Sequence, residues 1–265
     1  MLIETLGRLG SRRGLELLLV VVIGGSWLIF LQSEGLESLS LVREFNARPG
    51  KFEQAFWTHL ALAFGAVAIS AVLAFGLALK MMRSPGWQRP ILGLVSFLQT
   101  IPSLAVFGLL IAPLSALVAA FPVLETLGIR GIGWTPALLA LVAYSLLPMV
   151  RNTFVALTEV PENLADAGRG MGMNERQLFF KLKLPLALPV IIEGVRITTI
   201  QAIGLTAVAA LIGAGGFGSF IFQGLGQAAM DLVLLGALPT IALALLADAV
   251  FTMLAASLKP TPARA

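Results

Sequence analysis

Six apolar runs, each near or above the ~20 residues that a helix needs to cross a bilayer, dominate this sequence at 14–31, 57–79, 91–121, 134–150, 189–212 and 231–258. A chain divided in this way has few folds open to it. Inside lipid every backbone N–H and C=O must find its partner within the protein, so crossing segments form helices or closed barrels. Runs this long and continuous read as helices. Charged residues are only 12% of the chain, about half the ~25% usual in soluble domains, which implies several spans and not a soluble domain on one anchor. The expected fold is an all-α membrane protein, a single transmembrane domain of six helices over residues 1–265.

The intervals between the runs set the organisation. Arg8, Arg12 and Arg13 precede the first run and Gln32-Ser33-Glu34-Gly35 follows it without an Ala-x-Ala cleavage site, so it reads as a retained span and not a signal peptide. Residues 32–56 are polar and are expected to be partly helical and surface-lying. The second run is rich in Ala and Gly, a composition that lets helices approach closely in lipid, and His59 near its outer edge reads as an interfacial residue and not as a ligand. The third run is too long for one straight crossing. Pro102 and Pro113 divide it, giving either a kinked helix or one span with a shallow re-entrant piece. Glu193 and Arg196, three apart in the fifth run, are expected to pair on one helical face, since unpaired charges in a span are costly. The glycines from Gly213 to Gly218, with Gly224 and Gly226, suit a mobile or re-entrant gate or a plain loop.

Charge gives a direction. With the N-terminus, the 80–90 turn, the 151–188 loop and the C-terminus on one side, thirteen of the 18 Lys and Arg fall there, and four (Arg43, Arg48, Lys51, Arg130) fall opposite. Positive residues favour the cytoplasmic side, so both termini and the 151–188 loop are expected inside. The formal charge of +4 comes from these scattered span-end residues, which lack a nucleic-acid-binding motif. With no cysteine there is no disulfide, thiol catalysis or thiolate metal site. One histidine and no phosphate-binding loop leave no imidazole-rich metal site and no ATP site in this chain.

The 151–188 loop is the long polar interval in this greasy sequence. Pro161 and Glu162 suit the first turn of a helix, which Gly170 and Gly172 then stop. Asn174 with Gln177 three residues on forms a capping pair that starts a second short helix, interrupted at Leu184-Pro185. Asp166-Ala167-Gly168, three residues, Gly172, nine residues, then Leu182-Lys183-Leu184-Pro185 resembles the cytoplasmic E-A-A, x3, G, x9, I-x-L-P signature of ABC importer membrane subunits. Asp stands here for Glu, Gly168 for the second Ala and Leu182 for Ile. Leu98 to Ala105 resembles the matching stretch of osmoprotectant importers for glycine betaine, choline and carnitine.

The resemblance implies a type I ABC importer permease fold in a bacterial inner membrane, in which the loop is a coupling helix seated in a groove of a separate ATPase chain that holds ATP and Mg²⁺. Glu162, Ala165, Asp166, Ala167, Gly168, Arg169, Gly172, Leu182, Leu184 and Pro185 are then the coupling residues. Small Ala165, Ala167 and Gly168 would let a partner backbone approach, Asp166 and Arg169 would anchor polar contacts, and Gly172 would take a backbone angle closed to larger residues. It also implies a second permease subunit, a copy or a paralogue, and an extracytoplasmic substrate-binding protein, with membrane lipid around the whole. The few aromatics give no cage for a quaternary ammonium: Trp27, Trp57 and Trp134 fit an outer belt and Trp87 an inner turn. Substrate selection is therefore expected on the binding protein, with a low-affinity path here through Gln99, Ser103, Tyr144, Thr199 and Gln201. The alternatives are a permease for methionine or another small solute, and a channel-like protein with no ATPase partner.

Overall fold

The computed structural model describes Gly25 and residues 40–258, which form helices and turns with no strand among them. The expected first span lies, but for Gly25, outside the described residues. A short helix, α1 (Ser40–Ala47), leads into α2 (Pro49–Arg83). After a 3-10 turn at Pro85–Trp87 come α3 (Gln88–Thr100), α4 (Ser103–Ala120), the short α5 (Val123–Thr126) and α6 (Trp134–Thr158). The polar helix is α7 (Glu162–Gly170). Next, α8 (Glu175–Gln177) passes through a π-helical stretch, Leu178–Lys183, into α9 (Leu184–Ala209), and α10 (Gly218–Gly226) and α11 (Met230–Ser257) follow. Among the described residues five helices are long and apolar enough to cross a membrane (α2, α4, α6, the continuous Glu175–Ile212 helix and α11), and each overlaps an expected span.

Small side chains decide how these helices meet. Ala63, Ala66, Ser70, Ala74 and Ala78 are fully buried and recur every three or four residues along one face of α2. That face lies on α6, its most extensive partner, where Ala137 and Ala140 are equally buried. Short side chains on both helices bring the backbones close enough for Ser70 Oγ to donate to the Val142 carbonyl at 3.1 Å. α9 packs against α6, α2 and α11, and so completes the centre of the bundle.

Several expected boundaries shift for physical reasons. The polar 32–56 interval does not end in a surface segment, because α2 starts at Pro49, a residue suited to a first turn, and runs unbroken into the span. Of the two prolines in the third run only Pro102 breaks the helix: Ile101 before it is extended (φ −80°, ψ 130°), the conformation a following proline favours, whereas Pro113 sits inside α4. α6 continues eight residues past its expected end at 150, to Thr158. Leu184-Pro185 does not interrupt a helix either. The wide π turn, in which the Leu184 N–H reaches the Phe179 carbonyl, carries the chain past the proline, so that α8 and the fifth span form one rod.

The expected Glu193–Arg196 pair forms at 2.7 Å, and Asp248 of α11 joins it on the other guanidinium nitrogen, also at 2.7 Å. The paired charges thus tie α9 to α11. Asp248 is 52 residues from Arg196, and no local spacing announces it.

Candidate functional site

α7 lies between the end of α6 and the start of α8 and packs against the π stretch. Its first turn carries Glu162, favourable at a helix N-terminus, and its last carries Arg169, favourable at a C-terminus. The helix ends on a Schellman turn: Gly172 N–H donates to Arg169 O at 2.9 Å and Met173 N–H to Gly168 O at 3.0 Å. Gly172 takes φ +82°, as the left-handed position of that turn requires. Asn174 then opens α8 with a reciprocal capping box, its Oδ1 accepting from Gln177 N–H at 2.9 Å and Gln177 Oε1 accepting from Asn174 N–H at 3.0 Å.

The small residues of α7 divide in a way the signature did not foretell. Ala165 and Gly168 are buried against the chain's own π stretch, so they are a seat for this chain and not an open approach for another. A Cβ on Gly168 would stand 2.8 Å from Leu178 Cδ1 and 3.8 Å from Leu182 Cδ2, which explains glycine where the signature has Ala. Leu184 packs with Ala156, Leu157 and Ala187 below, while Pro185 is exposed. Leu164, Ala167 and Met171, at i, i+3 and i+7, form an exposed apolar stripe beside the seat, Met171 being 73% exposed. Asp166 and Arg169 pair with each other at 2.7 Å, and Arg169 reaches Glu175 at 3.3 Å. Glu175 and then Asp166 raise the pKa of that guanidinium above its already high ordinary value.

At the opposite end the glycine-dense segment is packed. His59 is not interfacial but completely buried. Its Nδ1 accepts from the Phe217 N–H at 3.3 Å, and its Nε2 lies 3.0 Å from the Ile203 carbonyl. Both partners fit the tautomer that carries its proton on Nε2. Gly216 has φ +76°, and a Cβ there would stand 3.2 Å from His59 Nδ1, so this position demands glycine twice over. Phe52 and Phe56 of α2 meet the Phe217 ring at 5.4 and 6.2 Å. α10 then folds back along α11 with Phe220 buried.

Three of the five path candidates meet at the α3–α4 break. Gln99 Nε2 donates to the Tyr144 carbonyl at 2.9 Å, the Tyr144 hydroxyl donates to the Ile101 carbonyl, and Ser103 opens α4. The other two lie on α9. Thr199 is buried and donates to Val195 O of its own helix at 2.8 Å, whereas Gln201 is exposed. No group of three or more metal-binding side chains occurs among the described residues.

Residues 70–260 match the family described as "Binding-protein-dependent transport system inner membrane component". The chain belongs to this family. The permease is 38% identical to a carnitine transport permease protein, OpuCB, of Listeria monocytogenes, over 72% of this chain and 81% of the relative. It is 40% identical to the osmoprotectant import permease protein OsmW of Salmonella typhimurium, over 72% and 83%. It is also 33% identical to the choline transport system permease protein OpuBB of Bacillus subtilis, over 84% and 94%. In fold the permease resembles an inward-facing form of the MetNI methionine ABC transporter, with a TM-score of 0.68 at 21% identity over 79% of this chain and 97% of that one. The type I importer permease fold expected from the loop signature is therefore the fold of this chain. Leu178, which seats α7, and Glu175, which pairs with its Arg169, are the residues that reading missed. Leu178 sits in the unspecified stretch of the signature, and only its burial marks it.

Proposed function

We propose that this chain is the membrane subunit of an ATP-driven importer for a small osmoprotectant such as glycine betaine, choline or carnitine. The names of the three relatives, each at least 33% identical over at least 72% of this chain, support that substrate class. A separate extracytoplasmic binding protein delivers the solute, and a second permease subunit completes the pore. ATP and Mg²⁺ sit on a cytoplasmic ATPase chain that grips α7.

The observation that carries the ATPase contact is the exposed Leu164–Ala167–Met171 stripe on a helix otherwise fixed to its own bundle. Apolar surface left open on a seated helix suits a groove in a partner. The Asp166–Arg169–Glu175 chain beside it supplies a charged rim. The excess of Lys and Arg at this end supports a cytoplasmic orientation with both termini inside. When two ATPases close on nucleotide, each α7 moves with its partner. Because α8 is continuous with α9 through the π stretch, a displacement of α7 reaches the fifth span directly. Reversing a 1:99 preference between inward- and outward-open forms needs about 5.5 kcal/mol of differential stabilisation. The α3–α4 break, with Gln99, Ser103 and Tyr144, is the candidate place for the low-affinity path, with Thr199 and Gln201 on α9 as its further members.

The test is uptake in cells lacking their own osmoprotectant import, supplied with this chain and its neighbouring ATPase and binding-protein genes. Labelled glycine betaine, choline or carnitine is expected to accumulate and methionine is not. Asp166→Lys, which reverses the rim charge, is expected to abolish uptake and ATPase co-purification together. A chain that never captures an ATPase, with uptake indifferent to Asp166→Lys, overturns the reading.

A further inference from the structure

A groove of about 540 Å³ opens between the last turn of α2 and the α8–π stretch, beside α7 but separate from its exposed stripe. Phe75, Leu79 and Phe179 line it together with Arg83, Arg176 and Lys183. Among the described residues none of these three cations forms an ion pair, and the acid at the groove, Glu175, is already engaged by Arg169. The level of the groove relative to the bilayer is marked by Trp87, half exposed, with Lys80 Nζ 3.7 Å from its ring centroid. Tryptophan and lysine together at a span end are the signature of the headgroup zone.

We propose that this groove is a binding site for an anionic phospholipid, its phosphate held by Arg83, Arg176 and Lys183 and its acyl chains lying on Phe75, Leu79 and Phe179. Three unpaired cations beside an aromatic and aliphatic wall, at the end of a membrane span, complement a molecule that is anionic at one end and apolar at the other. Basic pockets between spans at headgroup level take anionic lipids for this reason. A soluble phosphate would leave the apolar wall in water. The basic stretches 1–13, with Arg8, Arg12 and Arg13 against Glu4, and 259–265, with Lys259 and Arg264, do not complement the groove. The inference rests only on the chain being a membrane permease and holds whichever solute is carried.

The experiment uses the full-length chain with its ATPase, reconstituted into phosphatidylcholine membranes with or without phosphatidylglycerol, re-extracted in mild detergent and assayed for retained lipid by native mass spectrometry. The wild type is expected to keep phosphatidylglycerol in preference to phosphatidylcholine. Arg83→Gln/Arg176→Gln/Lys183→Gln is expected to lower that retention about tenfold or more. Arg43→Gln/Lys51→Gln/Arg130→Gln, with the same charge change elsewhere, is expected to keep it. Arg83→Lys/Arg176→Lys, which preserves charge and fold, is expected to retain most binding. Equal loss in both triple variants, no preference over phosphatidylcholine, or displacement by millimolar glycerol phosphate each overturns the site. So does a groove variant that loses its ATPase while keeping its lipid, for then the cations belong to the subunit contact. Uptake is measured separately, so a failure of the lipid site and a failure of the importer reading are distinguishable.

Discussion

The segment that leaves α9 is held by a buried imidazole and a cluster of phenylalanine rings, whereas the segment between α6 and α8 is held by a capping box and one glycine-sized seat and carries its ion pairs exposed. Both are connections between spans, and both turn on glycines with positive φ. They differ in what surrounds the turn. At the glycine-loop end His59 spans 158 residues of sequence to bond Phe217, out of reach of water. At the α7 end Arg169 reaches only three and six residues, to Asp166 and Glu175, and all three are exposed. Hydrogen bonds in a buried site are expensive to leave unmade, while exposed pairs are screened and contribute little to stability. The lesson is a division of labour: one end is fastened from inside, and the other keeps its charged side chains paired with one another at the surface.

The largest effect should come from breaking the internal fastening. His59→Ala removes a fully buried ring and leaves the Phe217 N–H without its acceptor. Cavity and unsatisfied donor together predict a loss of roughly 2–4 kcal/mol, read as a lower thermal midpoint of the purified chain in detergent. A midpoint within error of wild type would mean that the buried end is no better fastened than the exposed one, and the contrast would fail.

The difference between the ends also decides how much the sequence alone could reveal. Five spans are legible from 57 onward because apolar length is a local property, and the α7–α8 turn is legible because its caps and its left-handed glycine lie within twenty residues. The role of His59 is not local. Nothing near position 59 points to Phe217, so a polar residue two positions inside a span reads as interfacial until the fold covers it. Asp248 is hidden for the same reason. The continuity of α8 with α9 is obscured differently: Leu184-Pro185 carries a strong helix-breaking signal, and the π turn that bypasses it, with Leu178 and Leu182 lying against Gly168, has no local sequence signal. The burial of Ala165 and Gly168 follows from that same seat, which a motif of small residues describes equally well as open or filled.

A smaller effect is expected at Gly172. Nothing lies within 4 Å of a Cβ built there, so Gly172→Ala adds backbone strain and no clash. Left-handed strain at a single non-glycine residue costs on the order of 1 kcal/mol, which should raise amide exchange across residues 162–173 and leave the α2 amides unchanged. Gly172→Asn, better suited to a left-handed angle, should recover part of the protection. If α2 exchanges faster as well, the two ends are mechanically one unit, and the separation drawn between them needs revision.

Asp166→Asn should alter stability least. The carboxylate is exposed, its partner Arg169 keeps Glu175 at 3.3 Å, and the Schellman turn and capping box beside it are made by other groups. No measurable change in thermal midpoint is therefore expected, at low or high salt. Retention of the ATPase should respond instead, because neutralising Asp166 changes the charge that the rim offers to a partner. Its effect should shrink as ionic strength rises and exposed charges are screened over about 8 Å at physiological salt. A variant that is stable yet poorly gripped would separate the two functions of this end, structural seat and contact surface, at a single side chain. A variant that is both unstable and poorly gripped would show that the exposed pairs fasten α7 after all, and the seat formed by Gly168 and Leu178 would lose the primary role given to it.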